Sequence, residues 1–190
     1  MQKLIESILR IKNEKGKVLV AIDGRCASGK TTLAEKLKGS LLAKGEKITV
    51  IHIDEFFLRP EQRTKERLSI PGENIDHERF LEEVLKPIKN GEEVKYRPFD
   101  CSIFALAEEK EVEINDIIII EGSYSLNQNL SKFYDYKIFV TSDIKTRLDR
   151  ILVRNGEKMQ KVFIDRWIPM EESYFEAFNV ESKCDFVLVT

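Results

Sequence analysis

Cysteine is scarce and dispersed in this chain: three residues, Cys26, Cys101 and Cys184, with no C-x-x-C pair among them. That excludes a disulfide framework and a cysteine-held zinc site, and it fits a reducing cytoplasm. Histidine is scarcer still, and its two positions, His52 and His77, are too isolated for a histidine metal centre. No stretch approaches the roughly 20 apolar residues of a membrane span. The opening Leu4, Ile5, Ile8 and Leu9 are interrupted by Glu6 and Arg10, which excludes a signal-peptide core and predicts a packing helix. Positive charge is not in excess: the net charge of −2 leaves no polybasic surface for nucleic acid or a membrane. Internal repeats and low-complexity tracts are also missing. What remains, 42% apolar and 34% charged residues over a length of 190, predicts a single soluble globular domain spanning residues 1–190. A homo-oligomer stays open.

The most informative run is Gly24-Arg25-Cys26-Ala27-Ser28-Gly29-Lys30-Thr31, which fills every fixed position of the phosphate-cradling P-loop pattern G-x-x-x-x-G-K-[S/T]. Glycines let the backbone wrap around phosphate oxygens, Lys30 supplies a charge to the β/γ-phosphates, and Thr31 offers a hydroxyl to Mg²⁺. The apolar run 17–22 precedes the loop as a buried strand, while Leu33, Leu37 and Leu41 follow at helical spacing. A strand, a glycine loop and a helix N-terminus are what a phosphate needs. Residues 24–32, through Thr32, are therefore the candidate nucleotide cradle.

Further along, Gly45 is expected as the C′ residue of that helix, and 48–53 as a second strand. The polar segment 54–73, punctuated by Pro60, Pro71 and Gly72, reads as irregular with a helical turn near 61–67. Asp76 is placed to cap a helix carrying Phe80, Leu81, Val84 and Leu85, ended by Pro87 and Gly91. The segment 94–99 predicts a short strand, and the β-branched run 116–122 a central strand buried on both faces. Two more strands are expected over 136–140 and 186–189. A helix over 143–154, with Ile144, Leu148, Ile151 and Leu152 on one face, should stop at Gly156. Strands alternating with helices give the doubly wound α/β class, a parallel sheet of about five strands with a short lid. Ligands in such folds gather past the strand C-termini, which here nominates 24–31, Asp54 with Glu55, and Glu121 with Gly122.

Phosphoryl transfer needs a phosphate cradle, a metal, a group to take the acceptor's proton, and cations around the transferred group. Asp54, just past the second strand, can take the proton. Glu121 ends the strongest strand, where an acid reaches Mg²⁺. Asp23 reads equally as a structural group. Arg147, Arg150, Arg154 and Arg166 supply cations, with Arg154 beside Asn155-Gly156 where a lid could begin. Charge runs of this kind are usually solvated faces, so which of the other three serve a lid stays open. Cys26 takes a variable loop position and is assigned no reactivity. Phe57 and Phe99 adjoin the polar segments and could stack on a base.

Taken together, GRCASGKTT, HIDEFF, NIDHERF, YRPFD, IIIIEG and WIP-x-EE-x-YF resemble the uridine kinase family, within the phosphoribulokinase/uridine kinase group of P-loop kinases, over nearly the whole chain. The short bacterial uridine kinase-like proteins are the best match. The resemblance implies ATP with Mg²⁺ as donor and a nucleoside 5′-hydroxyl as acceptor. It places the catalytic aspartate on Asp54 and the ribose-binding aspartate on Asp76. The residues around the base fall on Phe57, Ile75 and Phe99, and the lid arginine on Arg154. Prototype members carry D-S-F-Y where this chain has 54–57, and Y-D-F-x-x-H-S-R where it has 99–106. The histidine and tyrosine that read the pyrimidine there have no counterpart here. The expected activity is therefore an ATP:nucleoside 5′-phosphotransferase acting on uridine or cytidine, with Asp54 as base, Lys30 and Arg154 stabilising charge, and Thr31 and Glu121 around Mg²⁺. The alternatives are a same-fold kinase for nicotinamide riboside, pantothenate or a nucleoside monophosphate, and a nucleotide-binding regulatory protein with little turnover.

Overall fold

A computed structural model describes residues 1–190. Five parallel strands form the main sheet: β1 (Val18–Gly24), β2 (Ile48–His52), β7 (Ile117–Glu121), β8 (Tyr136–Thr141) and β9 (Phe186–Val189), hydrogen-bonded in the order β2-β7-β1-β8-β9. Every residue of β1 and β7 is buried, as expected of apolar runs with helices over both faces. Alternation along these strands splits the core in two. Leu19 and Ala21 face one side with Ile118 and Ile120; Val18, Val20 and Ile22 face the other with Ile117 and Ile119.

The second side is covered by α1 (Gln2–Lys15), through Leu4, Ile5 and Ile8, and by α2 (Lys30–Leu42), through Leu33, Ala34, Leu37 and Leu41. The first side receives Phe56, Phe80, Val84, Tyr96, Tyr174 and Phe175. These come from the turn after β2, from the helical run made of α4 (His77–Phe80), a π turn (Leu81–Leu85) and α5 (Lys86–Asn90), from β3 (Val94–Tyr96), and from α7 (Ile168–Phe178). No helix is long and apolar enough to cross a membrane.

Several elements differ in detail from their sequence patterns. Gly45 does act as C′ at φ 83, with Glu46 N–H bonding to Leu41 and Gly45 N–H to Leu42, the paired bonds of a Schellman end. Pro87 does not end its helix. The π turn just before it bonds Lys86 N–H to the Leu81 carbonyl, so the chain passes the proline and stops at Gly91, φ 73. The expected strand over 94–99 is two pieces, β3 and β4 (Phe99–Asp100). They pair antiparallel with β6 (Lys110–Val112) and β5 (Ala105–Leu106), outside the main sheet. The segment 54–73 holds a 3₁₀ turn at Pro60–Gln62 and a short helix, α3 (Lys65–Leu68). In α6 (Ile144–Val162), capped by Asp143, the inward residues are Arg147 and Ile151, while Ile144 and Leu152 are exposed. Gly156 breaks the helix at φ 78, ψ 169, but helical structure resumes at once and runs on to Phe178.

Candidate active site

β1 delivers the chain into the loop 24–30, which takes positive φ at Gly24 (141), Ala27 (56) and Gly29 (96). At Gly24 the requirement is steric, since an added Cβ would lie 2.0 Å from the Val140 carbonyl oxygen. The loop feeds directly into α2, whose N-terminus no side chain caps, so its first amides are free to meet phosphate oxygens. Lys30 Nζ donates to the carbonyls of Gly24 (2.8 Å) and Arg25 (3.0 Å) and to Ser123 Oγ (3.2 Å), holding its charge at the inner rim.

Thr31 Oγ1 lies 3.1 and 3.2 Å from the two carboxylate oxygens of Glu121, the last residue of β7. Two hard oxygen donors at the loop exit suit Mg²⁺ rather than a softer metal. His52, ending the neighbouring β2, sits 2.5 Å from the same carboxylate, and that hydrogen bond favours its protonated form. The histidine thus serves Glu121 rather than a metal.

Asp54 lies in a 3₁₀ turn (Ile53–Phe56) anchored by two buried apolar residues. Its carboxylate rests on the bare Cα of Gly122, where an added Cβ would come 2.7 Å from Oδ1. The side chain opens to the cleft but is walled by protein. Desolvation by the surrounding protein pushes its pKa up to about 6, against the charge of Lys30 and together with those of Glu121 and Glu171. Glu55, the other acid of the pair, faces away and is bound by Tyr96 Oη and Lys110 Nζ.

Cys26, Ala27, Ser28, Gly29, Lys30, Thr31 and Thr32 line a cleft of about 960 Å³ with Asp54, Phe57, Phe99, Glu121 and Arg154. Small-molecule pockets run to roughly 1,000 Å³, so a donor and an acceptor both have room. Three expected site residues are placed otherwise. Arg25 turns its side chain outward, pairing with Glu172 and Glu181 and stacking over Phe139 and Phe175, so only its backbone belongs to the loop. Asp76, assigned to the ribose by resemblance, holds the helix-capping position that the sequence also predicts. It is 2% exposed, caps α4 through Arg79 N–H, accepts from Gln62 Nε2 (2.8 Å), and does not line the cleft. Ile75 is wholly buried and bridges to Phe57.

Other groups surround the loop in roles that the sequence left open. Glu171, 4% exposed, accepts from the Cys26 amide (2.9 Å) and from Ser123 Oγ (2.6 Å). Glu172 pairs with Arg25, and Tyr174 Oη donates to Asp23. The string WIP-x-EE-x-YF, on one helix, thus clamps the loop from behind. Asp23 proves structural: buried, it accepts from the amides of Gly24, Tyr124 and Leu126 and from Tyr174. Burial pushes the Cys26 thiol up to about 12, so it stays protonated and inert. Arg147 is buried against Cys26 and Glu172, and Arg150 bonds the Ala27 carbonyl and Thr190. Both therefore brace the loop, while Arg166 lies exposed over Trp167.

Known proteins share the sequence pattern and the fold. The model of the phosphoribulokinase/uridine kinase family matches residues 19–163. A uridine kinase from Macrococcus caseolyticus is 31% identical over 174 residues, 83% of this chain and 82% of that protein. Uridine-cytidine kinase B of Dictyostelium discoideum is 30% identical, covering 75% of this chain and 60% of its own. Among solved structures, a possible uridine kinase from Bacillus stearothermophilus superposes with TM-score 0.77 at 24% identity, over 98% of this chain and 96% of its own.

Proposed function

Because the chain belongs to the phosphoribulokinase/uridine kinase family, we propose that it is an ATP-dependent kinase that phosphorylates the 5′-hydroxyl of a nucleoside, uridine or cytidine. The observation that carries this reading is the seating of Asp54 against Gly122, within electrostatic reach of Lys30 and beside the Thr31–Glu121 pair. A protein that only sensed nucleotide would have no use for a proton acceptor there.

In this reading the free amides of α2 and Lys30 hold the β- and γ-phosphates. Thr31 and Glu121 would hold Mg²⁺, which would supply neutralisation of charge on the phosphate oxygens. Phe57 and Phe99 flank the acceptor's base. Asp54 takes the 5′-hydroxyl proton as the new oxygen–phosphorus bond forms and the bond to the departing ADP breaks. Arg154, two residues before the break at Gly156, neutralises charge on the transferred group.

A screen of nucleosides and related alcohols by ATP consumption tests the reading, with uridine or cytidine expected to give the 5′-monophosphate. Asp54→Asn should keep ATP affinity and lose roughly 10² to 10⁴ in kcat. With its pKa raised to about 6, the Asp54 carboxyl holds a proton below that value and cannot accept another. Wild-type kcat/KM should therefore fall as pH drops through about 6, and the residual activity of Asp54→Asn should lack that limb. ATP turnover with no nucleoside at all would overturn the assignment.

A further inference from the structure

Arg63 is a cation with no counter-ion in the wall of the cleft. Its guanidinium lies 5.4 Å from the ring centroid of Phe104 and 5.8 Å from that of Trp167. Its one hydrogen bond within the protein is a long one, 3.4 Å from Nη1 to the Leu58 carbonyl. Every other arginine that is not exposed has an acidic partner: Arg25 and Arg147 have Glu172, Arg59 has Glu61, Arg67 has Glu73, and Arg79 has Glu83. Burial, and after it the charge of Arg166, acts against the positive form of Arg63, and no carboxylate offsets that cost.

Two neighbours on the same wall are also out of the ordinary. Phe104 is held at φ 55, a backbone region that bulky residues seldom adopt and that clusters at binding sites. Half-exposed, it sets its ring edge-on to Phe99 at 5.5 Å. Asn74 is 4% exposed, and its Oδ1 has no hydrogen-bond partner. Cys101 is close enough to both Asp54 and Arg63 for each to act on its thiol. The acceptor side of the cleft therefore runs from Asp54 past Cys101 to Arg63.

We propose that Arg63 is a specificity-determining residue that donates to an oxygen on the outer edge of the acceptor's base, and so selects uridine over cytidine. This rests on the nucleoside-kinase reading. A guanidinium only donates hydrogen bonds. Uracil presents a carbonyl oxygen at its outer edge, whereas cytosine presents an amino group, which would set donor against donor and leave the cation unsatisfied. The Asn74 carboxamide both donates and accepts, so it can serve either ring nitrogen and leaves the choice to Arg63. Sites that depend on a hydrogen bond reject an analogue lacking the partner far better than sites that read shape alone.

Steady-state kinetics of the full chain with uridine and with cytidine, at saturating ATP and Mg²⁺, tests this for the wild type, Arg63→Met and Arg63→Gln. Binding is followed in parallel through Trp167, the one tryptophan of the chain. The wild type should favour uridine in kcat/KM by at least about tenfold. Arg63→Met should raise the KM for uridine by a similar factor while kcat and the KM for ATP stay within about twofold, bringing the uridine-to-cytidine ratio near one. Arg63→Gln, which both donates and accepts, should also bring that ratio near one, and it serves as the test should the Met variant fold poorly. Equal use of both nucleosides by the wild type, or an Arg63 variant that keeps the preference, overturns the assignment and leaves the kinase reading standing. Turnover of neither nucleoside overturns both.

Discussion

Gly122 governs where the proposed base can sit. Its φ of 133 is one that side-chain-bearing residues rarely take, and an added Cβ would lie 2.7 Å from Asp54 Oδ1 and 2.8 Å from Ile53 Cγ2. Gly122→Ala must therefore shift the Asp54 turn, and a misplacement of about 1 Å costs on the order of 10² in rate. We expect that loss in kcat with the KM for ATP little changed, because Lys30 is also held by the carbonyls of Gly24 and Arg25 within the loop itself. A Gly122→Ala enzyme with wild-type kcat would show that catalysis does not need the carboxylate at that spot. At this scale the residue types were legible in the sequence: the P-loop, Asp54 and Glu121 all reach one cleft. The Gln62 partner of Asp76 and the acidic partners of Arg25 were not legible, because Gln62, Glu172 and Glu181 are brought to them by separate segments of the fold.

Among the elements, the helical segment from Ile144 to Phe178 does two things at once. Its first part buries Arg147 and Ile151 behind the loop, and α7 clamps the loop through Glu171, Glu172 and Tyr174. Between them, Gly156 holds a backbone conformation at φ 78, ψ 169 that is essentially restricted to glycine. It redirects the chain so that Arg154, Met159 and Phe163 all line the cleft. An added Cβ at Gly156 would touch nothing within 4 Å, so only the backbone opposes substitution. Gly156→Ala should favour a straight helix, pulling Arg154 off the cleft and changing kcat and the KM for ATP together. The melting temperature should stay near that of wild type, because this turn is exposed. A large fall in melting temperature with unchanged kinetics would mean that the break serves folding rather than the lid. The glycine was visible in the sequence as a helix stop. That helix resumes beyond it was not, because what turns the chain back is the anchoring of α7 on the core.

For the molecule as a whole, the two-sided core holds the sheet ends in place, and ligands bound at those ends should stabilise the folded state. With ATP and Mg²⁺ at about 100 times the dissociation constant, mass action contributes roughly 2.7 kcal/mol. The melting temperature should therefore rise on adding both and fall back when EDTA removes the metal. Lys30→Ala should fold, since its Nζ meets loop carbonyls and Ser123 rather than the apolar core, yet show little of that rise. A full rise in Lys30→Ala would remove the lysine from the phosphate site. Sequence alone determined the α/β class, the two fully buried strands, the cradle and the identity of the acids past the strand ends. Those features are local: hydrophobic period, glycine placement and loop chemistry lie within a few residues of one another. Only the tertiary structure decided that Glu171 backs the loop, that Gln62 donates to Asp76, and that Arg63 meets Phe104 and Trp167 without a counter-ion. Each of these joins residues far apart in the chain, and a charged side chain's role depends on which distant group packing brings within reach of it.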